Sequence, residues 1–482
     1  MAARRVKVVA AAAGAAVVVA ALAGFGVVHL DTVSSSRARS AAPSTPVRTA
    51  ASPAASIPVP SSTPEPETSL APVLDAMGQP ATSRPTEIAG KVASAGQVKG
   101  ARISAAVMSA RTGKLLYDHG ANTALIPASV TKLLTTSAAL KLLGPQHRFR
   151  TSVVDASTTS HGKTVNRIDL VGGGDPYLTV TREQATAPGQ ASLEALAAAT
   201  AKQLKSAKTT RVRLGYDASL FPGPAWNPTW PSNYTTVVTR TSALWANEGR
   251  LYGSEGPRQS DPAKSAADEF AALLRKRGIR ITSVAPAKAP AKAEEVAGID
   301  SLPLSTIVEK LLMASDNDAA EVVARQVAIA DGKPGTISDA MNAIKKVLSM
   351  LGAWAPGTKI YDGSGLSRSG RIPAETLVKV LRLGIAGDQP AIAPVFTGLP
   401  VAGVEGSLHY RFDESRAEVG VGLVRAKTGT LSGVHSLAGY SYTRDGELLI
   451  FAFVVNGAKN DYSAVVWLDR VTAAVASCGC TH

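Results

Sequence analysis

Hydrophobic positions follow three regimes along the chain. Val8 to Val28 carries no charge, and Arg4, Arg5 and Lys7 precede it. This run is close to the ~20 residues that a helix needs to cross a bilayer. It is longer than the apolar region of an ordinary signal peptide. Residues 1–30 are therefore expected to be a membrane anchor or signal segment, with an uncleaved anchor favoured and the remainder exported. Residues 31–85 then show no apolar period and are dominated by Ser, Pro, Ala and Thr. Such a stretch buries too little surface to offset its ordering entropy, so it reads as a disordered linker.

Periodicity returns in the remainder. ARISAAVMSARTGKLLYDHG (101–120) predicts two strands around a turn at Thr112-Gly113. Residues 127–143 predict a helix closed by Gly144. Strands are expected in 147–154 and 167–178, and amphipathic helices in 192–207 and 261–279. Residues 304–330 predict two helices broken near 314–317. Strands return in 422–442 and 447–457, followed by a last helix from Asp461. The class is α+β, with a sheet drawing strands from both ends of the body and helices packed against it.

Composition adds limits. The 482 residues are 45% hydrophobic and 18% charged, which suits two or three globular domains. Net charge is +14, of which residues 1–90 hold +2 (seven Lys/Arg against five Asp/Glu). A basic exported body is drawn to anionic wall or membrane surfaces. Nucleic acid is not expected, because no basic run is interleaved with aromatics and aromatics are only 5%. Cys478 and Cys480 make no disulfide scaffold and read as a minor tail. The seven histidines have no ligand spacing, so neither a metal nor a cofactor is expected.

Candidate chemistry starts at PASVTKLL (127–134). On a helix, Ser129 and Lys132 share one face. A serine in a first turn has a backbone N–H free for an oxyanion. A lysine can activate it only when neutral, which requires burial or a neighbouring cation. The same spacing recurs at Ser160 and Lys163, in a polar segment without helical pattern. Ser315, Asp316 and Asn317 sit at the helix break, where any of them is also a good N-cap. Lys427-Thr428-Gly429 is the one Lys-Thr-Gly in the chain. In a strand Lys427 and Gly429 face the same way, and Gly429 permits close approach. Lys427 is expected to supply the cation that lowers Lys132. His435, near this strand, is expected to pack.

Ser-x-x-Lys, Ser-x-Asn and Lys-Thr-Gly in this order resemble the serine acyltransferase set of penicillin-binding proteins and serine β-lactamases. The span from Ser129 to Ser315 is 186 residues, and no glutamate occurs from 322 to 374. Both facts weigh against a compact class A β-lactamase. LVGGGDPYL (170–178), YDASLFPGPAWNPTW (216–230), YDGSGLSR (361–368) and LPVAGVEGSL (399–408) are similar to low-molecular-mass class C penicillin-binding proteins, the D-alanyl-D-alanine carboxypeptidase/endopeptidase group. The glycines of YDGSGLS suggest a tight loop ordered by Asp362, a structural role.

The resemblance implies a β-lactamase/transpeptidase-like core at 86–150 and 300–482, with an inserted domain region at 151–299. It implies a serine D-Ala-D-Ala carboxypeptidase, with endopeptidase action on cross-links as an added capacity of the group. Catalysis would fall to Ser129, Lys132, Ser315 and Lys427. Asn317, Thr428, Gly429 and Thr430 would bind the substrate. The partners implied are peptidoglycan stem peptides and, as covalent inhibitors, β-lactams. The site would face the extracytoplasmic side of a bacterial membrane or wall. A serine β-lactamase and a non-catalytic wall-binding protein on the same fold stand as alternatives.

Overall fold

The computed structural model describes residues 83–252, 256–386 and 389–479. The expected anchor and residues 31–82 of the expected linker lie outside the described residues. No described helix is long and apolar enough to cross a membrane.

The body opens at Ser83, whose N–H donates to Glu447 Oε2 (2.6 Å). Helix α1 (Pro85–Ser94) follows, with proline in its first turn and Ile88 and Val92 buried one turn apart. Two apolar positions are too few to announce a helix in the sequence. The hairpin β1 (Arg102–Ser109) and β2 (Leu115–His119) comes next. A 3-10 turn, Ala128–Thr131, leads into α2 (Lys132–Leu143). Then come β3 (Arg150–Asp155), the small hairpin β4 (Thr158–Ser160) and β5 (Lys163–Val165), and β6 (Arg167–Val171). Helix α3 (Leu193–Ser206), β7 (Arg211–Asp217), α4 (Pro262–Lys276), β8 (Arg280–Pro286) and β9 (Glu295–Asp300) complete this region. Helices α5 (Leu304–Ala314), α6 (Asn317–Ala330), α7 (Ile337–Met350), α8 (Ala374–Ile385) and α9 (Ala393–Thr397) precede the closing strands. These are β10 (Arg425–Leu431), β11 (Val434–Tyr442) and β12 (Leu448–Asn456), followed by α10 (Asp461–Ala476).

The main sheet is antiparallel throughout, in the order β10-β11-β12-β1-β2. Its strands come from both ends of the body, as the pattern predicted. Strand β12 reads LLIFAFVVN because both of its faces are covered. Ile450, Ala452 and Val454 pack towards α2 and α8. Leu449, Phe451, Phe453 and Val455 pack towards α1 and α10. Trp467 on α10 meets Phe453 edge-on at 5.8 Å, and its Nε1 donates to Gly96 O (2.9 Å). Cys478 is buried in the same cluster, and its carbonyl accepts from Arg444 N (2.8 Å). The tail is thus pinned against the core. Cys480 lies outside the described residues.

Helix α2 is buried almost all round, among α5, α6, α7 and α8, so it is the axis of the helical layer. A second sheet, β8-β7-β6-β3-β9, is built wholly from residues 150–300. Its β6-β7 and β7-β8 pairs are parallel, and α3 and α4 cover it over a separate core that includes Ile168, Leu170, Leu196 and Phe270. Ser160 and Lys163 face each other across the exposed tip of the β4–β5 hairpin, away from any helix.

Because Ile88 has no exposed surface beneath α10 and the sheet, Ile88→Ala is expected to cost about 2–5 kcal/mol. Urea denaturation reads this directly, and an unchanged midpoint would show that α1 is not part of the cooperative core.

Candidate active site

Ser129 lies in the 3-10 turn rather than in a continuous helix from 127. The difference starts at Ala128, which has φ +54°. That conformation is costly for a residue with a Cβ and persists only where neighbours enforce it. Here two glycines press on the turn. A Cβ at Gly365 (φ +86°) would fall 2.0 Å from Ala128 O. A Cβ at Gly429 would fall 2.8 Å from Pro127 O. Ser436 Oγ donates to Pro127 O (2.7 Å), and Thr131 Oγ1 donates to Ala128 O (2.9 Å). Ser129 is left half-buried, with its side chain at the cleft.

Lys132 begins α2 and has no exposed surface. Its Nζ lies 3.0 Å from Ser129 Oγ, 2.7 Å from Asn317 Oδ1 and 2.8 Å from the Ser364 carbonyl. A neutral amine has two N–H donors and one lone pair. The two carbonyl-type oxygens can only accept, so they take the donors. The lone pair is then directed at the Ser129 hydroxyl. Burial brings Lys132 down to about 8, against the opposing pull of Asp362, Asp316, Glu321 and Asp318.

Helix α5 ends on Ser315 in the left-handed conformation (φ +57°), a position where glycine is usual. Asp316 then caps α6 by accepting from Ala319 N (3.1 Å). The N-cap reading of this triplet thus holds for its middle residue, and the bend turns the other two into one cleft. Ser315 Oγ accepts from Lys427 Nζ (2.7 Å), while Asn317 Oδ1 takes Lys132. Asn317 Nδ2 donates to Val237 O (3.0 Å).

Strand β10 is an edge strand. Ala426 N–H points outward, to Pro400 O (3.0 Å). At the antiparallel period of two, the N–H groups of Thr428 and Thr430 face the same edge. Thr430 is exposed there, and Thr428 Oγ1 lies 2.9 Å from Ser407 Oγ. Gly429 admits protein backbone, the Pro127 carbonyl, rather than open space for a ligand. Lys427 is fully buried and donates to Thr428 O as well (2.9 Å). Burial, and then the Lys132 charge, push Lys427 well below the ordinary lysine range.

Burial is thus the first cause of the shift in both amines, and the repulsion between Lys132 and Lys427 comes after it. His435 is 2% exposed, with Nε2 2.9 Å from Asp461 Oδ1 on the outer side of the hairpin.

The sequence underrated the YDGSGLS loop. Its Ser364 carbonyl is a direct partner of Lys132, and the Gly363 carbonyl accepts from Thr135 Oγ1 (2.8 Å). Asp362 organises the loop by accepting from Gly365 N (2.9 Å), Ser367 N (2.6 Å) and Trp230 Nε1 (2.8 Å). Glu321 accepts from Ser364 N (2.8 Å). A cavity of about 730 Å³ opens beside Ser315 and Asn317 and runs past Tyr177, Lys310 and Arg250.

The model of the D-Ala-D-Ala carboxypeptidase 3 (S13) family matches residues 86–254 and 253–471. The chain belongs to this family. A carboxypeptidase of Mycobacterium tuberculosis is 34% identical over 389 residues, which are 79% of this chain and 81% of the relative. A D-alanyl-D-alanine carboxypeptidase of an Actinomadura species is 30% identical over 440 residues, 75% of this chain and 78% of the relative. Among solved structures, penicillin binding protein 4 of Haemophilus influenzae superposes with a TM-score of 0.65 at 22% identity. The match covers 81% of this chain and 98% of that one. As a member of the D-Ala-D-Ala carboxypeptidase 3 family, the protein is a hydrolase, and its substrate places its work outside the cytoplasm.

Gly365→Ala would put a side chain into the Ala128 carbonyl and force an unfavourable φ. The expected cost is at least about 2 kcal/mol. Acylation should also slow, because the Ser129 turn must shift. A variant with wild-type melting and wild-type penicillin labelling would contradict the enforced-turn argument.

Proposed function

We propose that this serine D-Ala-D-Ala carboxypeptidase acts through an acyl-enzyme on Ser129. The observation that carries the reading is the buried Lys132 amine, whose third partner is the Ser129 hydroxyl. Lys132 takes the hydroxyl proton as Ser129 Oγ attacks the carbonyl between two D-alanines. The N–H groups of Ser129 and Thr430 receive the oxyanion. The C–N bond then breaks, and Ser315 relays a proton to the leaving amine with Lys427 tuning its hydroxyl. Asn317 holds the substrate's amide through the second N–H of Nδ2. Thr428 and Thr430 bind the terminal carboxylate, and the peptide adds as a strand along the open edge of β10. Water resolves the ester.

In this scheme residues 86–150 and 300–482 form the transpeptidase-like domain, and 151–299 form the inserted one. Residues 1–30 tether the enzyme to the extracytoplasmic face of the membrane through a linker that ends where the body opens at Ser83. The positive body favours the anionic wall. Endopeptidase action on cross-links uses the same acyl-enzyme, with a larger leaving amine. A β-lactam enters as a mimic whose leaving group stays tethered. No second function class is favoured by a specific observation.

A fluorescent penicillin should label the purified protein, and Ser129→Ala should not label. The adduct should persist well beyond seconds, and a peptide ending in D-Ala-D-Ala should lose one D-alanine. Labelling of Ser129→Ala to the wild-type level would refute the assignment, and turnover of the adduct within seconds would turn it towards a β-lactamase.

The neutral form of Lys132 is the active one, so acylation should rise with pH and level off above about 8. Burial is the first cause of the Lys132 shift, so Lys427→Met, which removes the donor to Ser315 Oγ, should lower the acylation rate while leaving that midpoint in place. A midpoint displaced upward by a full unit would mean that a Lys427 charge was controlling Lys132 after all.

A further inference from the structure

The cavity beside Ser315 is larger than a departing D-alanine needs. Its volume of about 730 Å³ is that of a site for a much bigger ligand. Ser315 lines it, and Ser315 serves the leaving amine in the acyl-transfer scheme, so the cavity lies on the leaving side of the scissile bond. Gln184 and Thr186 line it too and are exposed, so it is open to a longer chain.

One lining residue has a chemistry that the scheme leaves unused. Lys310 stands on α5, five residues before Ser315. That is about 7.5 Å along the helix axis. Neutral groups hold its ammonium in place. Lys310 Nζ donates to Thr186 Oγ1 (2.6 Å) and lies 3.9 Å from the centre of the Tyr177 ring. Gln190 fixes both of these partners. Its Nε2 donates to Tyr177 O (2.6 Å), and its Oε1 accepts from Thr186 N (2.9 Å) and Thr186 Oγ1 (3.2 Å). The carboxylates of the cavity are engaged elsewhere. Glu248 accepts from Arg250 Nε (2.6 Å), and Asp316 accepts from Ala319 N (3.1 Å) and Tyr177 OH (3.3 Å). The two lining arginines, Arg250 and Arg258, share Asp318 (3.1 and 3.3 Å). Among the described residues Lys310 has no carboxylate in contact. Burial accordingly draws it below the ordinary lysine range, against the pull of Glu248, Asp316 and Asp175.

A cation that neutral groups position and no carboxylate compensates is suited to an anionic ligand. D-Alanine cannot supply that anion. Its carboxylate is taken by Thr428 and Thr430 in the scheme, and its methyl group is too short to reach a full helical turn away. We propose that the cavity is a subsite for the leaving strand of a cross-linked peptide, where Lys310 pairs with a carboxylate remote from the scissile bond. The ligand class is a D-amino acid whose side chain extends and ends in, or continues to, an acidic group. The inference rests on Ser315 serving the leaving amine. Bonds balance as in the carboxypeptidase step. Ser129 Oγ gains the acyl carbon, the C–N bond breaks, the hydroxyl proton ends on the leaving amine, and water then cleaves the ester. Lys310 meets no reacting atom, so it governs which amine is accepted as leaving group and not the release of D-alanine.

The test uses the purified protein and N-acylated peptides that share one acyl part and end in D-Ala–X. X is D-alanine, D-norleucine, D-lysine or D-2-aminopimelate, whose side chain ends in a carboxylate. Release of X is read as kcat/KM at low salt, with Ser129→Ala as control. Wild type should prefer aminopimelate to norleucine by about 5-fold or more, and added salt should shrink the ratio. Lys310→Met should bring the ratio to about 1 while releasing D-alanine within about 2-fold of wild type. Lys310→Glu should invert it and favour D-lysine, which a merely structural role would not do. Each ratio comes from one preparation, so it is independent of the folded fraction. A wild-type ratio near 1, a ratio that survives Lys310→Met, or an equal loss of D-alanine release overturns the proposal. So does a Lys310-dependent preference for a carboxylate placed on the acyl part instead. Release of X by Ser129→Ala, or no release of D-alanine by wild type, would overturn the acyl-enzyme reading itself, so the two failures are distinct.

Discussion

A primary amine without exposed surface lies 3.0 Å from a half-exposed serine hydroxyl, and each neighbouring element helps to keep it there. Burying a charged ammonium is costly, so the site favours the neutral form as soon as its donors are matched. Two fixed acceptors, Asn317 Oδ1 and the Ser364 carbonyl, match them. The first comes from the start of α6, and the second comes from a glycine loop 232 residues along the chain. The main sheet brings β10 to the other side of Ser129. The site is therefore closed from three separate regions, and loosening any one of them would let water reach the amine and restore its charge.

Around this amine the protein keeps four acidic side chains: Asp362, Asp316, Glu321 and Asp318. They oppose its deprotonation, which at first appears counterproductive. Each has a structural duty that explains its presence. Asp362 gathers two backbone N–H groups and an indole, Asp316 caps α6, Glu321 holds Ser364, and Asp318 receives Thr239 and two arginines. The balance still leaves Lys132 near 8, because desolvation exceeds their combined pull. Lys427 has no such acidic company, and burial followed by the Lys132 charge holds it well below the ordinary lysine range. The sequence alone offered Lys427 as the cause of a lowered Lys132, since spacing brings the two amines together without saying how deeply either is buried.

Local pattern made the strands, the helices of 304–330 and their break legible. Apolar positions recur at helical spacing on both sides of Ser315, and β12 is apolar throughout because helices cover both faces. Motif order then placed Ser129, Lys132, Ser315, Asn317 and Lys427 together, and their side chains do converge. What stayed hidden was non-local or conformational. Nothing near Ala128 or Ser315 announces a left-handed backbone at a residue with a Cβ. Gly363 and Gly365 read as a turn, although they are the space into which Ala320 and Ala128 fit. Helix α1 has only Ile88 and Val92 to show. Glu248 looks like any polar loop residue until the fold sets it in the wall of the cavity that Asp316 also lines.

The same arrangement bears on how the ester is resolved. A deacylating base needs a lone pair that faces water next to the acyl carbon. The four carboxyls nearest Lys132 are all bonded to backbone N–H groups, and several also hold an indole, a phenol or an arginine. Glu321, the first glutamate after Asn317, is buried and pushed up to about 8, where it is protonated at neutrality. Neither property suits a base. In the proposed mechanism Lys132 is left to activate both the serine and the later water. With a peptide substrate the departing D-alanine vacates the space that water needs. With a β-lactam the tethered leaving group would remain in the cleft, and none of these four carboxyls is free to drive water past it. The persistence expected of a penicilloyl enzyme in this mechanism would then follow from the commitment of these four side chains to structure.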